Sequence, residues 1–242
     1  MINIVCLKWG TKYSTEYVNR LYRMVKVNIS VPFTFHCITE NSKGLYPEID
    51  VLELKNPELE GWWHKLSLFH PDCYGLTGTV LYLDLDVVIT GSLDPVVNYE
   101  PGSFCTIKSR GKRLNARFNS SVIRFEAGSV PFIWDAFVYN QKWVLNNLDG
   151  DQDWLGMVIP GAKTFPDQLI VSFKKNCQAQ GDSWLGVGER LMKKGWLKPS
   201  GESKVPEGAS VVIFHGLPNP EDVADKPYKQ WKKSPWIKKF WQ

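Results

Sequence analysis

The chain has 242 residues, of which 43% are hydrophobic and 22% charged, and a formal net charge of +4. That length and balance suit one large α/β domain or two small ones with a full core, and they exclude an intrinsically disordered chain. The mild positive charge is compatible with anionic substrates but falls short of a nucleic-acid-binding signature, so no nucleic-acid partner is expected. The five cysteines, Cys6, Cys37, Cys73, Cys105 and Cys177, are odd in number and widely spaced, and none forms a CxxC pair. Reduced core thiols in a cytoplasmic compartment are the expectation. The stretch Met1-Ile-Asn-Ile-Val-Cys-Leu7 lacks the basic segment of a signal peptide. No apolar run approaches the ~20 residues of a membrane span.

Ile2 to Leu7 reads as a first strand, followed by a turn at Trp9-Gly10-Thr11. A helix opens near Ser14 and runs to about Val27, with Tyr17, Leu21, Met24 and Val25 on one face. Pro32 to Ile38 is a second strand and Ile49 to Leu54 a short third. Trp62 to His70 reads as a helix stopped by Pro71. Val80 to Ile89 reads as a buried strand carrying two carboxylates. Strand–helix–strand alternation predicts parallel βαβ units, and ligands in such sheets sit outside the carboxyl ends of the strands. Beyond Pro95 the rhythm loosens. Ser103 to Lys108, Ser120 to Phe125, Thr164 to Phe173 and Ser210 to Phe214 read as strands, and Pro131 to Leu148 as a helix. Residues 174–208 read as loop with a short helix at Gly188 to Lys194.

The segment Tyr82-Leu-Asp-Leu-Asp86 needs a physical explanation, because an ionised carboxylate buried without a partner is costly or neutralises. Side chains at i and i+2 leave a strand on the same face. Asp84 and Asp86 would therefore converge on one hard divalent cation if the strand ends there. Turn or cap chemistry at a strand end competes with this reading; the resumption of the apolar run at Val87 weighs against it. His215, directly after Val211-Val-Ile-Phe214, is a third candidate ligand, although a lone His after a strand is more often a hydrogen-bonded structural residue. Two carboxylates and one imidazole leave positions open for phosphate oxygens and suit Mn2+ or Mg2+.

On these residues the chain resembles the GT-A-fold glycosyltransferases, and most of all family eight, the glycogenin and lipooligosaccharide galactosyltransferase group. The DxD of Tyr82-Leu-Asp-Leu-Asp86, with Ser92-Leu-Asp-Pro95 after it, resembles the nucleotide-sugar site. Val5-Cys-Leu-Lys-Trp-Gly-Thr-Lys-Tyr13 resembles the first strand and uridine loop, which implies donor contacts from Leu7 and Trp9 and base stacking by Tyr13. Trp63-His-Lys-Leu66 resembles the helix whose Lys, here Lys65, reaches the donor. Phe118-Asn-Ser-Ser-Val122 resembles the FNSGV segment, placing Asn119 and Ser120 at the donor sugar, with Ser121 where the family usually has Gly. Gly150-Asp-Gln-Asp153 resembles the DQD segment near the anomeric carbon. Phe214-His-Gly216 resembles the metal-ligand motif, so the resemblance implies Asp84, Asp86 and His215 around Mn2+ or Mg2+. The family then places a Lys-Pro pair on the diphosphate; here Leu217-Pro-Asn-Pro220 follows, and Lys226-Pro227 comes later.

The resemblance implies a single GT-A-like α/β domain over 1–220, with a mostly parallel central sheet flanked by helices. Its nucleotide-binding half is 1–95, its smaller mixed half 96–220, and a basic aromatic segment occupies 221–242. The implied activity is metal-dependent transfer of a hexose from a UDP-sugar to a glycan, lipid-linked or protein acceptor, with retention. Gln152 would stabilise the anomeric centre; an inverting enzyme needs a carboxylate base, for which Asp151 and Asp153 are candidates.

The residues alone leave blander readings open. Tyr13 packs on the core, Lys65 snorkels outward, Asn119 and Gln152 serve turns, and Arg110, Lys112 and Arg113 form a solvated loop instead of a lid over the diphosphate. A haloacid-dehalogenase-like phosphatase also carries an apolar strand ending in DxD, but on its first strand and followed by Gly-Thr. A non-catalytic nucleotide-sugar or carbohydrate-binding relative would use the same groove without turnover. Residues 226–242 carry six Lys and five aromatics. Either they contact an anionic membrane surface, giving a cytoplasmic protein peripheral at the inner membrane, or the aromatics dock on the core with the lysines solvated.

Overall fold

The computed structural model describes residues 1–109, 117–178 and 199–242. Arg110, Lys112, Arg113 and the helix expected at 188–194 lie outside the described residues. The chain divides into two compact units built from discontinuous stretches. The first comprises Met1–Tyr22, Ser30–Leu85 and Asp94–Phe165; the second comprises Arg23–Ile29, Asp86–Leu93 and Pro166–Gln242.

The strands of the described residues are β1 (Ile2–Lys8), β2 (Phe33–Thr39), β3 (Asp50–Leu52), β4 (Thr79–Leu83), β5 (Val88–Ile89), β6 (Cys105–Lys108), β7 (Phe118–Glu126), β8 (Lys163–Thr164), β9 (Ile170–Ser172) and β10 (Val211–Ile213). The helices used below are α1 (Thr15–Asn28), α2 (Asp94–Val97), α3 (Phe132–Asn147) and α4 (Asp151–Val158), with a 3-10 helix at Gly61–Phe69.

The first unit holds a seven-stranded sheet in the order β3-β2-β1-β4-β7-β6-β8. β1 runs parallel to β2 on one side and to β4 on the other, and β7 runs antiparallel to both β4 and β6. The near-continuous apolar runs of β1 and β4 fit strands covered on both faces. Strand order reverses between β1 and β4, which opens a crevice at their carboxyl ends. The β1–β4 ladder ends at the pairing Val5↔Tyr82, so Asp84 follows just beyond the carboxyl end of β4.

The helix expected over Trp62 to His70 is present as the 3-10 helix Gly61–Phe69. Residues 63 to 69 of it are all buried, so the segment is enclosed and carries no polar stripe. Trp63 stacks on Phe137 of α3, centroids 6.1 Å apart and planes 13° apart. The Trp154 indole N–H donates to the Ile133 carbonyl at 3.2 Å, so its polar atom is satisfied in the core. Each such aromatic contributes about 2–3 kcal/mol by leaving water.

The second unit holds a three-stranded sheet, β5-β10-β9, with β10 antiparallel to β5 and parallel to β9. Two expected strands are therefore split. The run Val80 to Ile89 stops at Leu83, turns through residues 84–87, and resumes as β5 in the other sheet. Asp84 and Asp86 are thus turn residues beyond a strand end, not same-face residues of one strand. Likewise Thr164 to Phe173 separates into β8 and β9 around Pro166, which cannot donate to a ladder.

The C-terminal aromatics pack into the second unit. Phe173 stacks on Phe214 at 4.4 Å and lies 6.4 Å from both Trp231 and Trp236. The Trp236 N–H donates to Ser203 Oγ at 2.8 Å, and Ile237 and Trp241 are buried. Lys238 and Lys239 stay exposed. Among the described residues no helix is long and apolar enough to cross a membrane. All five cysteines are buried and free.

Candidate functional site

In the first unit the 3-10 helix, β4, β7 and α4 bring four of the sequence-selected segments to one buried polar network. Lys65 is its centre, and its side chain is 3% exposed. Its ammonium stands 3.2 Å from Asp84 Oδ1 and 3.2 Å from Asp151 Oδ2. It donates to both the carbonyl and the hydroxyl of Ser120 at 3.1 Å, and it lies 4.7 Å from the Tyr82 ring centroid. The outward-snorkelling reading of Lys65 is therefore wrong: two carboxylates compensate its burial.

Asp84 is anchored on its own side. The Tyr82 hydroxyl donates to its Oδ1 at 2.8 Å, and its backbone N–H donates to the Ser121 carbonyl at 2.9 Å. Asn119, half-buried, accepts the Ser121 N–H at 3.1 Å, so part of its amide serves local backbone. Asp151 opens α4 after Gly150, in the first turn where the helix dipole favours a carboxylate. The same segment, for which turn chemistry was the blander reading, thus continues into a helix. Asp153 is buried and accepts the Asp149 N–H at 3.2 Å, while Gln152 between them is half-buried.

Burial opposes the charge on Lys65, but the carboxylates of Asp151 and Asp84 outweigh it and hold the ammonium above its usual range. Burial pushes Asp151 above the usual carboxylate range, against the pull of Lys65 and Ser120. Burial and then the Asp84 charge push the Tyr82 phenol well up, so it remains a donor. Asp151 Oδ2 is held by the Lys65 ammonium, whereas Asp153 Oδ1 is a buried acceptor without a hydrogen-bond partner. A buried acceptor left so costs about 1–3 kcal/mol.

At the end of β1, Leu7 is half-buried against the core and Trp9 is 38% exposed. The Gly10 N–H donates to Glu40 at 2.9 Å, fixing the turn. Tyr13 is half-buried, 4.7 Å from the Tyr17 ring and 4.7 Å from the Lys12 ammonium. Sequence reasoning passed over His64. It is fully buried, 5.6 Å from the Trp9 ring, and neither ring nitrogen has a hydrogen-bond partner. The only signal was its place inside an enclosed apolar helix.

In the second unit, His215 follows β10 and its Nε2 lies 2.9 Å from Ser172 Oγ. Burial, then the Lys174 charge, lowers its pKa and keeps the imidazole neutral. Lys174 donates to the His215 carbonyl at 2.6 Å. Burial lowers the Lys174 pKa while the nearby Asp86 charge raises it, so Asp86 and His215 share this cation as a neighbour. Lys174, in the Phe173–Cys177 turn after β9, was not singled out in the sequence; Lys226 is exposed.

Among the described residues no three His, Cys, Asp or Glu side chains are gathered so as to hold a metal ion. Asp84 belongs to the first unit, and Asp86 and His215 belong to the second.

No family model matches the chain, and no curated protein sequence matches it. Solved structures do. An active-site mutant of LgtC aligns with a TM-score of 0.62 at 16% identity, over 90% of this chain and 89% of that one. The galactosyltransferase LgtC in complex with donor and acceptor sugar analogs aligns at 0.57 and 16% identity, over 90% and 88%. The glycosyltransferase GlyE of Streptococcus pneumoniae TIGR4 aligns at 0.61 and 13% identity, over 91% of this chain and 56% of GlyE. At these identities the likeness shows the fold, a GT-A-like α/β architecture resembling that of family eight.

Proposed function

We propose that this chain is a metal-dependent glycosyltransferase that moves a hexose from a UDP-sugar to a glycan or lipid-linked acceptor with retention. The observation that carries the reading is the buried network of Lys65, Asp84, Ser120 and Asp151 beyond β4. It lies in a fold shared with a galactosyltransferase solved with donor and acceptor sugar analogs. A cation and two carboxylates beside a buried acceptor that lacks a partner, Asp153 Oδ1, suit a ligand rich in hydroxyls.

In this reading Leu7, Trp9 and Tyr13 hold the uridine, and Lys65, Asn119, Ser120 and Asp151 orient the donor sugar. Gln152 supports the anomeric carbon as it takes on oxocarbenium character, with Asp153 fixing the start of α4. The bond from C1 to the diphosphate oxygen breaks, the acceptor oxygen bonds to C1 on the same face, and the acceptor proton passes to the leaving phosphate. Asp84, Asp86 and His215 would hold Mn2+ or Mg2+, which supplies Lewis-acid neutralisation of the diphosphate when bound. Lys174 adds a cation near Asp86 and His215. A cytoplasmic setting fits the free cysteines, and any membrane contact of 226–242 rests on its exposed lysines.

The test is a thermal-shift screen of nucleotide sugars with Mn2+, followed by hydrolysis of the donors that bind. A UDP-sugar-dependent shift abolished by chelation supports the reading. A shift confined to GDP-sugars, or none, rejects the uridine assignment. Binding without any hydrolysis identifies a non-catalytic relative, and phosphate release from a phosphomonoester identifies the phosphatase.

A further inference from the structure

Trp62 and Trp63 are neighbours with opposite surroundings. Trp63 is 9% exposed and stacks on Phe137, whereas Trp62 is 53% exposed. A single exposed indole is ordinary on its own. This one is seated. A Cβ on Gly150 would lie 3.0 Å from Trp62 Nε1, 3.4 Å from its Cδ1 and 3.6 Å from its Cε2. The pyrrole edge of the indole therefore rests on the bare backbone of Gly150, and an added Cβ there would make the ring shift by a few tenths of an ångström.

Gly150 immediately precedes Asp151, and Asp151 pairs with Lys65. Lys65 follows Trp62 by three residues on the same 3-10 helix, a spacing at which side chains eclipse. A flat apolar ring thus stands on the solvent side of the buried polar network, one residue from the Asp151-Gln152-Asp153 segment. The buried acceptor Asp153 Oδ1, which has no hydrogen-bond partner, belongs to that same segment. An aromatic face beside carboxylate acceptors matches a pyranose ring, which presents C–H bonds on its face and hydroxyls at its rim.

We propose that Trp62 is a specificity residue that stacks against the acceptor sugar, so that the acceptor is a pyranoside with an unhindered apolar face. The inference rests on the glycosyltransferase reading above. The acceptor is assigned and not the donor because the indole is open to solvent, whereas the donor sugar takes the enclosed network. A second sugar approaching that network meets Trp62 on its way in.

The experiment is saturation-transfer NMR on the full chain with UDP and Mn2+. The probes are methyl β-glucopyranoside and methyl β-galactopyranoside, and the proteins are wild type, Trp62→Ala and Trp62→Phe. The expected result is transfer to the axial C–H protons of at least one probe, reduced at least about fivefold by Trp62→Ala and largely restored by Trp62→Phe. No transfer with wild type, or undiminished transfer with Trp62→Ala, overturns the proposal. So does loss of the UDP-dependent thermal shift in Trp62→Ala, which would move the ring to the donor side. Failure of the parent reading appears separately, as a wild-type protein with no UDP-dependent shift at all.

Discussion

Lys65 and Asp151 face each other across 3.2 Å with side chains 3% and 6% exposed, so a buried ammonium is answered by a buried carboxylate. Such a pair gains little over an apolar replacement, but removing one partner strands the other. Lys65→Met should therefore cost about 3–5 kcal/mol in urea denaturation. Lys65→Met combined with Asp151→Leu should recover part of that loss. Strictly additive single effects would show that the two do not act as a pair.

His64 offers a pH test. Burial lowers its pKa from the ordinary 6.5, outweighing the pull of Glu40, Glu58 and Glu60. As pH falls below 6.5, the unfolded chain takes up the proton before the folded one does, so stability declines from there downward. His36, also lowered by burial against the pull of Asp50, adds to the same slope. His64→Leu should be neutral or stabilising at pH 7.5, because it removes two unsatisfied buried nitrogens, and should flatten the acid slope without abolishing it. An unchanged slope between pH 7 and pH 5 (about one unit or more below the ordinary value) would show that His64 does not contribute.

Asp86→Asn should reduce UDP-sugar hydrolysis by at least about 100-fold, since a metal ion's charge stabilisation amounts to several kcal/mol. Chelation of the wild-type protein should give a similar loss that added Mn2+ reverses. Lys174→Met should raise the donor KM more than it lowers kcat, because its ammonium meets the charge of Asp86 and the His215 carbonyl. Full hydrolysis in the presence of chelator would remove the metal from the proposal.

The C-terminal segment is predicted to matter for folding. Ile237 is 1% exposed, so Ile237→Ala should destabilise the protein by about 2–5 kcal/mol. Lys239→Ser should change stability by no more than about 0.5 kcal/mol. Equal effects of the two substitutions would contradict the docked arrangement of this segment.

Much of the first unit was legible in the sequence because its strands are short apolar runs separated by turn residues. β1 and β2 appear within a residue or two of where their patterns place them, and β4 begins where expected but ends six residues early. The 3-10 helix was legible as helical but not by type, since an enclosed apolar segment has no periodic stripe to read. α4 was hidden because Gly150 and Asp151 are turn residues by composition; only packing of Trp154 and Leu155 into the core continues them as a helix. His64 had only its place in an apolar helix and Lys174 had no signal, because a single polar residue in an apolar neighbourhood looks the same whether buried or turned outward.

Residue identity and spacing alone determined that two carboxylates end an apolar strand, that an amide lies between two more carboxylates, and that an imidazole follows a late strand. Only tertiary structure decided that Lys65 turns inward to meet Asp84 and Asp151, and that the run from Val80 to Ile89 is shared between two sheets. The reason is that one-dimensional patterns report which side chains leave water. Which charge compensates which depends on contacts between residues far apart in the chain, as with Lys65 and Asp151, and forms only once the chain has folded.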